Sequence, residues 1–459
     1  SMRSLALAVV LALSLLVPLP ANAQSVGVTH ALVKVRPDFA VPASTEARIE
    51  AARNEVEPFQ IVVGGAATGV RASVDTLTGP GGATIAASNV VLYREGLYTV
   101  VTRSSADGAV GAWPDPLIPD VDTYVGETRN AFPFDVPAGE ARAIWVDVFV
   151  PPGTAPGEYR GTIAVSGAGF ARDVTVVLRV RAFDLPSTPT LRSAFGMGWD
   201  AACRAHRGSY AACGGDAGVE AFHVLYARAA LDHRMSIESV VYAPPASAAD
   251  WTHFEALYGP LLDGTADTLL TGARLTTIRM AARDAAQMVE WRARFDAHPE
   301  WTALLFDYTC DEPPAGCAFS EIPTRGAGPR AASVPVLVTT DIDEATSNGV
   351  LDDIDVMVPV VNFMDDRGGT NRRAEYDGFL ARVGTHLWMY QSCMSHGCGD
   401  GCVETTDPYF TGWPSYMIDA SAVQNRAMEW LSFRYDVSGE LYFETTYDLV
   451  TAWDDQCDF

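Results

Sequence analysis

From Leu191 onward the chain repeats one pattern: a short apolar run, a polar or irregular segment, then an amphipathic helical stretch. Eight runs have the length and composition of buried parallel strands, at 191–196, 237–242, 275–280, 303–308, 334–339, 356–361, 386–390 and 440–444. Between them, stretches such as 281–297 and 422–433 carry apolar and aromatic residues at helical spacing. Parallel neighbours need a crossover connection, so eight β/α units in about 270 residues predict a (β/α)8 TIM-like barrel over 187–459. Side chains that follow the strands then share one mouth. Here they are Trp199 and Asp200, Asp311 and Glu312, Asp341 and Asp343, Asn362, Tyr390 and Gln391, and Glu444.

Ahead of the barrel the texture differs. Residues 24–186 show short alternating runs at 59–63, 90–93, 144–150, 162–165 and 174–180, separated by Gly, Pro, Asn and Asp clusters. Many short strands with such turns predict an all-β sandwich. No catalytic residue types gather there, so it reads as a packing or carbohydrate-contacting module. The segment Phe183-Asp184-Leu185-Pro186-Ser187-Thr188-Pro189 is the expected linker.

Residues 1–23 read as a secretory signal peptide. Arg3 precedes a thirteen-residue apolar run, 5–17, too short to span a bilayer, and Ala21-Asn22-Ala23 is a small-x-small cleavage site. The expected destination is secreted, periplasmic or at the cell surface, without membrane insertion after cleavage. Export makes the eight cysteines candidates for disulfides. Cys203–Cys213 and Cys310–Cys317 are the natural local pairs, whereas Cys393, Cys398, Cys402 and Cys457 can pair in three ways. Cys393, His396, Cys398 and Cys402 could also be drawn as a zinc site, but the interleaved glycines favour a stapled loop. A net charge of −25 argues against nucleic acid and anionic membrane surfaces as partners. No phosphate-binding glycine loop, metal-spaced histidine cluster or G-x-S-x-G elbow is present, so no cofactor and no metal are expected.

The stretch 303–314, ALLFDYTCDEPP, ends an apolar run in two adjacent carboxylates and two prolines. The prolines forbid continuation of a strand, so the chain must turn there. An Asp-Glu pair is by itself an ordinary solvated turn. Its convergence with the other polar strand ends makes it the leading catalytic candidate.

Several short motifs, in order, resemble a known family. Asn54-Glu55 with Phe59-Gln60, the run Pro156-Gly157-Glu158-Tyr159-Arg160-Gly161 and Leu185-Pro186 are similar to the sandwich domain of glycoside hydrolase family 123. Trp388-Met389-Tyr390, the run 413–419 (WPSYMID), Arg426 with Trp430 and Gly439-Glu440-Leu441-Tyr442 resemble the related domain-of-unknown-function family 4091. Asp311-Glu312-Pro313 matches the family's Asp-Glu at the end of the fourth barrel strand. Where that family often has a Trp in its last strand, this chain has Phe443-Glu444.

The resemblance implies a β-N-acetylgalactosaminidase or related β-N-acetylhexosaminidase acting on a glycan. Its chemistry suits neighbouring acids. Two-carboxylate glycosidases place their acids across the sugar, whereas in the substrate-assisted route the sugar's 2-acetamido oxygen is the nucleophile. Glu312 is then the general acid/base, with a pKa that burial and Asp311 would have to raise. Asp311 orients the acetamide. Since neighbours on a regular strand face opposite ways, an irregular strand end is required, and Pro313 is expected to supply it. A Cys310–Cys317 bridge would fix the loop.

Supporting candidates are Tyr390 as donor to the acetamido oxygen, Asn362 and Glu444 on sugar hydroxyls, and Trp199 or Trp413 as a sugar platform. Two other readings stay open. Glu312 as acid/base with Glu444 as nucleophile would make a retaining glycosidase for a non-acetamido sugar. A non-catalytic carbohydrate-binding surface protein would keep only the cleft.

Overall fold

The computed structural model describes residues 24–365, 369–398, 406–447 and 449–453. The expected signal peptide, Cys402 and Cys457 lie outside the described residues.

The N-terminal part is built from β1 (Ser25–His30), β2 (Glu46–Arg53), β3 (Glu55–Gly64), β4 (Ala67–Val74), β5 (Leu77–Thr78), β6 (Thr84–Ile85), β7 (Val90–Val100), β8 (Gly111–Pro119), β9 (Phe134–Val136), β10 (Ala141–Val150), β11 (Gly157–Gly167) and β12 (Phe170–Asp184). One sheet has the order β1-β3-β10-β7-β8, the other β2-β12-β11-β4-β9 with β5 and β6 attached at β11. Alternate residues face the core between them, as a pleated strand requires. Phe59, Ile61 and Val63 of β3 and Ile144, Val146 and Val148 of β10 meet Ile163 and Val165 of β11 and Val174, Val176 and Leu178 of β12. The expected sandwich is therefore present.

The C-terminal part is a parallel sheet of β13 (Arg192–Phe195), β14 (Thr277–Arg279), β15 (Leu304–Cys310), β16 (Val336–Val338), β17 (Val356–Met357), β18 (His386–Met389) and β19 (Gly439–Tyr442). Its order, β13-β19-β18-β17-β16-β15-β14, is that of a rolled-up barrel with one gap, between the first strand and β14. Phe306, Leu337, Val356, Trp388 and Leu441 fill the interior, with Phe306 and Trp388 in edge contact at 5.8 Å. Helices Asp216–Asp232, Ala248–Asp263 and Ala285–Ala297 cover the outside. The expected helix at 422–433 is two short ones, Ala422–Asn425 and Ala427–Arg434.

The gap is where the expected strand 237–242 belongs, and there the sequence reading needs correction. Residues 236–238 do close the ring. Phe195 donates to the Ser236 carbonyl at 3.0 Å, Glu238 to that of Phe195 at 2.9 Å and Arg279 to that of Glu238 at 3.0 Å. Yet only the bridge Phe195–Ile237 forms. Side-chain hydroxyls have taken the ladder's place: Ser193 Oγ accepts from Ser236 N at 2.8 Å, Ser236 Oγ from Thr276 N at 2.8 Å and Thr276 Oγ1 from Ser193 N at 3.1 Å. Hydroxyl-to-backbone bonds of this kind compete with strand pairing.

The two parts are packed together. Phe149 of β10 is buried in the barrel's helix-side core, and Val56 of β3 packs against it. Asn54 Nδ2 donates to the Leu185 carbonyl at 2.9 Å, Arg234 Nε to that of Pro186 at 2.9 Å, and the Tyr124 hydroxyl to Asp232 at 2.9 Å.

Candidate active site

At the end of β15 the pleat breaks before the prolines are reached. Asp307 and Tyr308 pair with Val336 and Leu337, but it is Cys310 that pairs with Val338, so Thr309 is an extra residue in the ladder. Such a bulge re-aims the side chains that follow it. Two residues on, Glu312 takes the left-handed conformation, φ 40°. For a non-glycine residue this costs on the order of 1–3 kcal/mol and persists only where its surroundings hold it. Here the Glu312 N–H donates to Thr339 Oγ1 at 2.6 Å, and the turn closes through Gly316 N to Asp311 O at 3.0 Å. A Cys310–Cys317 disulfide spans it. Bulge and left-handed residue together bring Asp311 and Glu312 into the lining of one cavity. Pro313 alone does not account for the irregularity.

Each carboxylate is held by its own tyrosine. The Tyr308 hydroxyl donates to Asp311 Oδ1 at 2.7 Å, and the Tyr390 hydroxyl donates to Glu312 Oε1 at 2.6 Å. Thr339, at the end of β16, joins the two: it accepts from Glu312 N and donates to Asp311 Oδ1 at 3.0 Å. Among the described residues, Asp311 Oδ2 and Glu312 Oε2 have no protein donor. Burial and the adjacent carboxylates hold both tyrosine hydroxyls far above their ordinary pKa, so both stay protonated as donors.

The cavity has a volume of about 600 Å3, within the range of small-molecule sites. Besides the acid pair it is lined by Glu238, Arg279, Tyr242, Gln391 and Glu444 from the barrel, and by Tyr98 and Val100 from the sandwich. Glu238 is buried, and desolvation pushes its carboxyl up to about 7, with Arg279 opposing and Glu444 adding. The Arg279 guanidinium is 3.2 Å away but poorly aligned, so among the described residues Glu238 Oε2 has no hydrogen-bond donor. Glu444 is differently placed: its Oε1 accepts from Gly198 N at 2.6 Å, Thr446 N at 2.9 Å and Thr446 Oγ1 at 2.7 Å, pinning the loops after the first and last strands together.

The structure thus brings Asp311, Glu312, Tyr390, Gln391 and Glu444 to one cavity. The other expected residues do not line it. Trp199 packs edge-on to His223 and against Tyr242, which itself faces the cavity. Asn362 is buried and donates to Met394 O at 3.1 Å and to the Tyr409 hydroxyl. Trp413 donates its indole N–H to Tyr409 O at 3.0 Å. Asp341 caps the helix Ile342–Ser347, Asp343 pairs with Arg372, and Asp200 with Arg204.

The cysteines follow the local pattern. Cys203–Cys213, Cys310–Cys317 and Cys393–Cys398 are disulfides. The third bridge consumes two ligands of the drawn zinc site, and His396 is buried and held neutral, its pKa pushed down to about 4. Among the described residues no group of His, Cys, Asp or Glu is arranged to hold a metal, and no helix is long and apolar enough to cross a membrane.

Tyr308, Thr339, Glu238 and Arg279 were not anticipated. The last two do carry a signal, because each is the one charge inside a strand-like run, IESVVY and LTTIRM, where charges are rare unless paired.

Residues 32–167 match the Glycoside hydrolase 123 N-terminal domain. No protein of curated function matches the sequence. Among solved structures, the chain is similar to a family 123 glycoside hydrolase from Clostridium perfringens concerned with glycolipid glycan hydrolysis. The TM-score is 0.61 at 10% identity, over 91% of this chain and 78% of that one. At that identity the likeness establishes the shared two-part fold. A candidate α-galactosidase from Bacteroides fragilis also matches at 10% identity, over 94% and 81% of the two chains, but with a TM-score of 0.26 that bears no weight.

Proposed function

We propose that this chain, which carries a glycoside hydrolase 123 N-terminal domain, is a glycoside hydrolase that removes β-linked N-acetylhexosamine, in the first instance N-acetylgalactosamine, by the substrate-assisted retaining route. One observation carries the reading: Asp311 and Glu312 are neighbours in sequence, line the same cavity, and are each anchored through one oxygen, with the other unengaged among the described residues.

In this route Glu312 gives its proton to the glycosidic oxygen as the bond to the anomeric carbon breaks. The substrate's acetamido oxygen closes on that carbon to form an oxazolinium ring. Asp311 accepts the acetamido N–H and offsets the positive charge that develops there. Glu312, now a carboxylate, takes a proton from the water that opens the ring, which restores the acid and the original anomeric configuration. Tyr308, Tyr390 and Thr339 hold the two acids in place. No metal or cofactor enters.

Glu444 lines the same cavity and supports the second reading, a retaining glycosidase with Glu312 as acid/base and Glu444 as nucleophile. Three donors on its Oε1 favour a positioning role instead. With residues 1–23 read as a signal peptide, we place the enzyme outside the cytoplasm, where its disulfides would persist.

The test is release of chromophore from an aryl β-N-acetylgalactosaminide beside the matching aryl β-galactoside. Hydrolysis of the acetamido sugar alone, lost in Glu312→Gln, is the expected result. Comparable hydrolysis of the plain galactoside would overturn the assignment and move the nucleophile to Glu444.

A further inference from the structure

The β7–β8 hairpin of the sandwich leaves its own sheet and reaches the barrel mouth. A bulge between Glu95 and Leu97 bends it, at Gly96, where a Cβ would press on Pro116 at 2.7 Å. Its tip is bolted to the barrel segment 412–424. The Asp419 carboxylate accepts from Ser104 N at 3.0 Å and from the Ser104 hydroxyl, and Asp107 accepts from Gln424 Nε2 at 3.1 Å and from Gly412 N. Gly108 passes so close to Asp419 that any side chain there would collide with the carboxylate.

Behind this bolt Tyr98 and Val100 are buried in one apolar cluster with Ile418, and all three line the cavity that holds Asp311 and Glu312. The cavity therefore has two unlike sides. The barrel supplies a carboxylate-rich end that suits hydroxyls and an acetamide. The hairpin and residue 418 supply an apolar wall.

We infer that the sandwich hairpin builds a leaving-group subsite, in which Tyr98 and Val100 take the apolar C–H face of the sugar next to the scissile bond. The wall bounds the same cavity, of about 600 Å3, in which the terminal sugar would lie, so the group continuous with that sugar is its occupant. Aromatic and aliphatic side chains stack on such faces while polar groups fix the rim. Ser104 is a positioning residue for this wall. The inference rests on the reading given under Proposed function and adds to it that the sandwich selects the leaving group.

The test compares kcat/KM on methyl β-N-acetylgalactosaminide, whose aglycone is too small to reach this wall, with that on an oligosaccharide bearing the same terminal sugar. Tyr98→Ala is expected to lose at least about ten-fold more on the oligosaccharide than on the methyl glycoside, mainly through KM, as for loss of a desolvated aromatic contact. Ser104→Ala, which removes only one hydroxyl, is expected to shift the same ratio by at least about three-fold, and carries the test if Tyr98→Ala does not fold. Equal losses on both substrates, or none, would overturn the inference while leaving the proposed activity standing. A wild-type chain inert on both acetamido substrates would sink the two together.

Discussion

Tyr390 donates its hydroxyl to Glu312 Oε1 at 2.6 Å across 78 residues of sequence, joining the end of β18 to the end of β15. Its one proton is thus committed to the Glu312 carboxylate rather than to a sugar. Removing it in Tyr390→Phe should lower kcat on the aryl acetamido glycoside by about ten-fold or more with KM changed by less than about three-fold, the pattern of a lost transition-state contribution. A change confined to KM would instead place this hydroxyl on the substrate, as the sequence reading had it.

Thr339 should matter for both stability and rate. Thr339→Val keeps the shape but leaves the part-buried Glu312 N–H without its acceptor and removes a donor from Asp311. A fully buried donor left unsatisfied costs about 1–3 kcal/mol, so denaturant unfolding should show a loss at the lower end of that range. Activity should fall with it, because Glu312 leaves its left-handed geometry more readily. A variant as stable and as active as the parent would show that Thr339 is not the support described above.

The Cys310–Cys317 bridge closes a loop of eight residues around the acid pair. The loop-entropy relation gives about 2.5 kcal/mol for a loop of that size. Replacing both cysteines by alanine is expected to lower stability by about that amount, read by chemical denaturation, and to lower kcat. Retention of full kcat would show that the bridge stabilises the fold without preorganising the site.

Among the glutamates pushed up chiefly by burial, Glu57, Glu95 and Glu238 rise to about 7 and Glu440 to about 8, against an ordinary 4.5. Between those values the native chain holds protons that the unfolded chain has already released. Stability from these groups therefore falls as pH rises through that window, the reverse of a salt-bridged acid. The thermal midpoint should be lower at about pH 8.5 than at about pH 5.5, and the slope should flatten in Glu440→Gln, which cannot ionise. A midpoint that climbs with pH over this range would contradict the assignment.

Much of the architecture was legible because periodicity is local. Runs such as 144–150 and 174–180 alternate, and they became β10 and β12 facing one core. Run 303–308 is apolar and bounded, and it became β15. The strand at 237–242 was misread because its competitor is not local: Ser193, Ser236 and Thr276, far apart in sequence, exchange hydroxyl bonds that replace a ladder. Trp199, Asn362 and Trp413 were drawn toward the mouth by their positions after strands, but a residue's distance past a strand does not fix where its side chain turns.

The sequence by itself determined the order of sandwich and barrel, the local cysteine pairs and the acids at the fourth strand's end, since each depends on neighbours in the chain. Only the tertiary structure decided which partners those acids have. Tyr390 and Thr339 reach Asp311 and Glu312 from other strands, and Tyr98 reaches the cavity from the other domain. Hydrogen bonds and van der Waals contacts act over a few ångströms of space and are indifferent to distance along the chain, so no local pattern announces them.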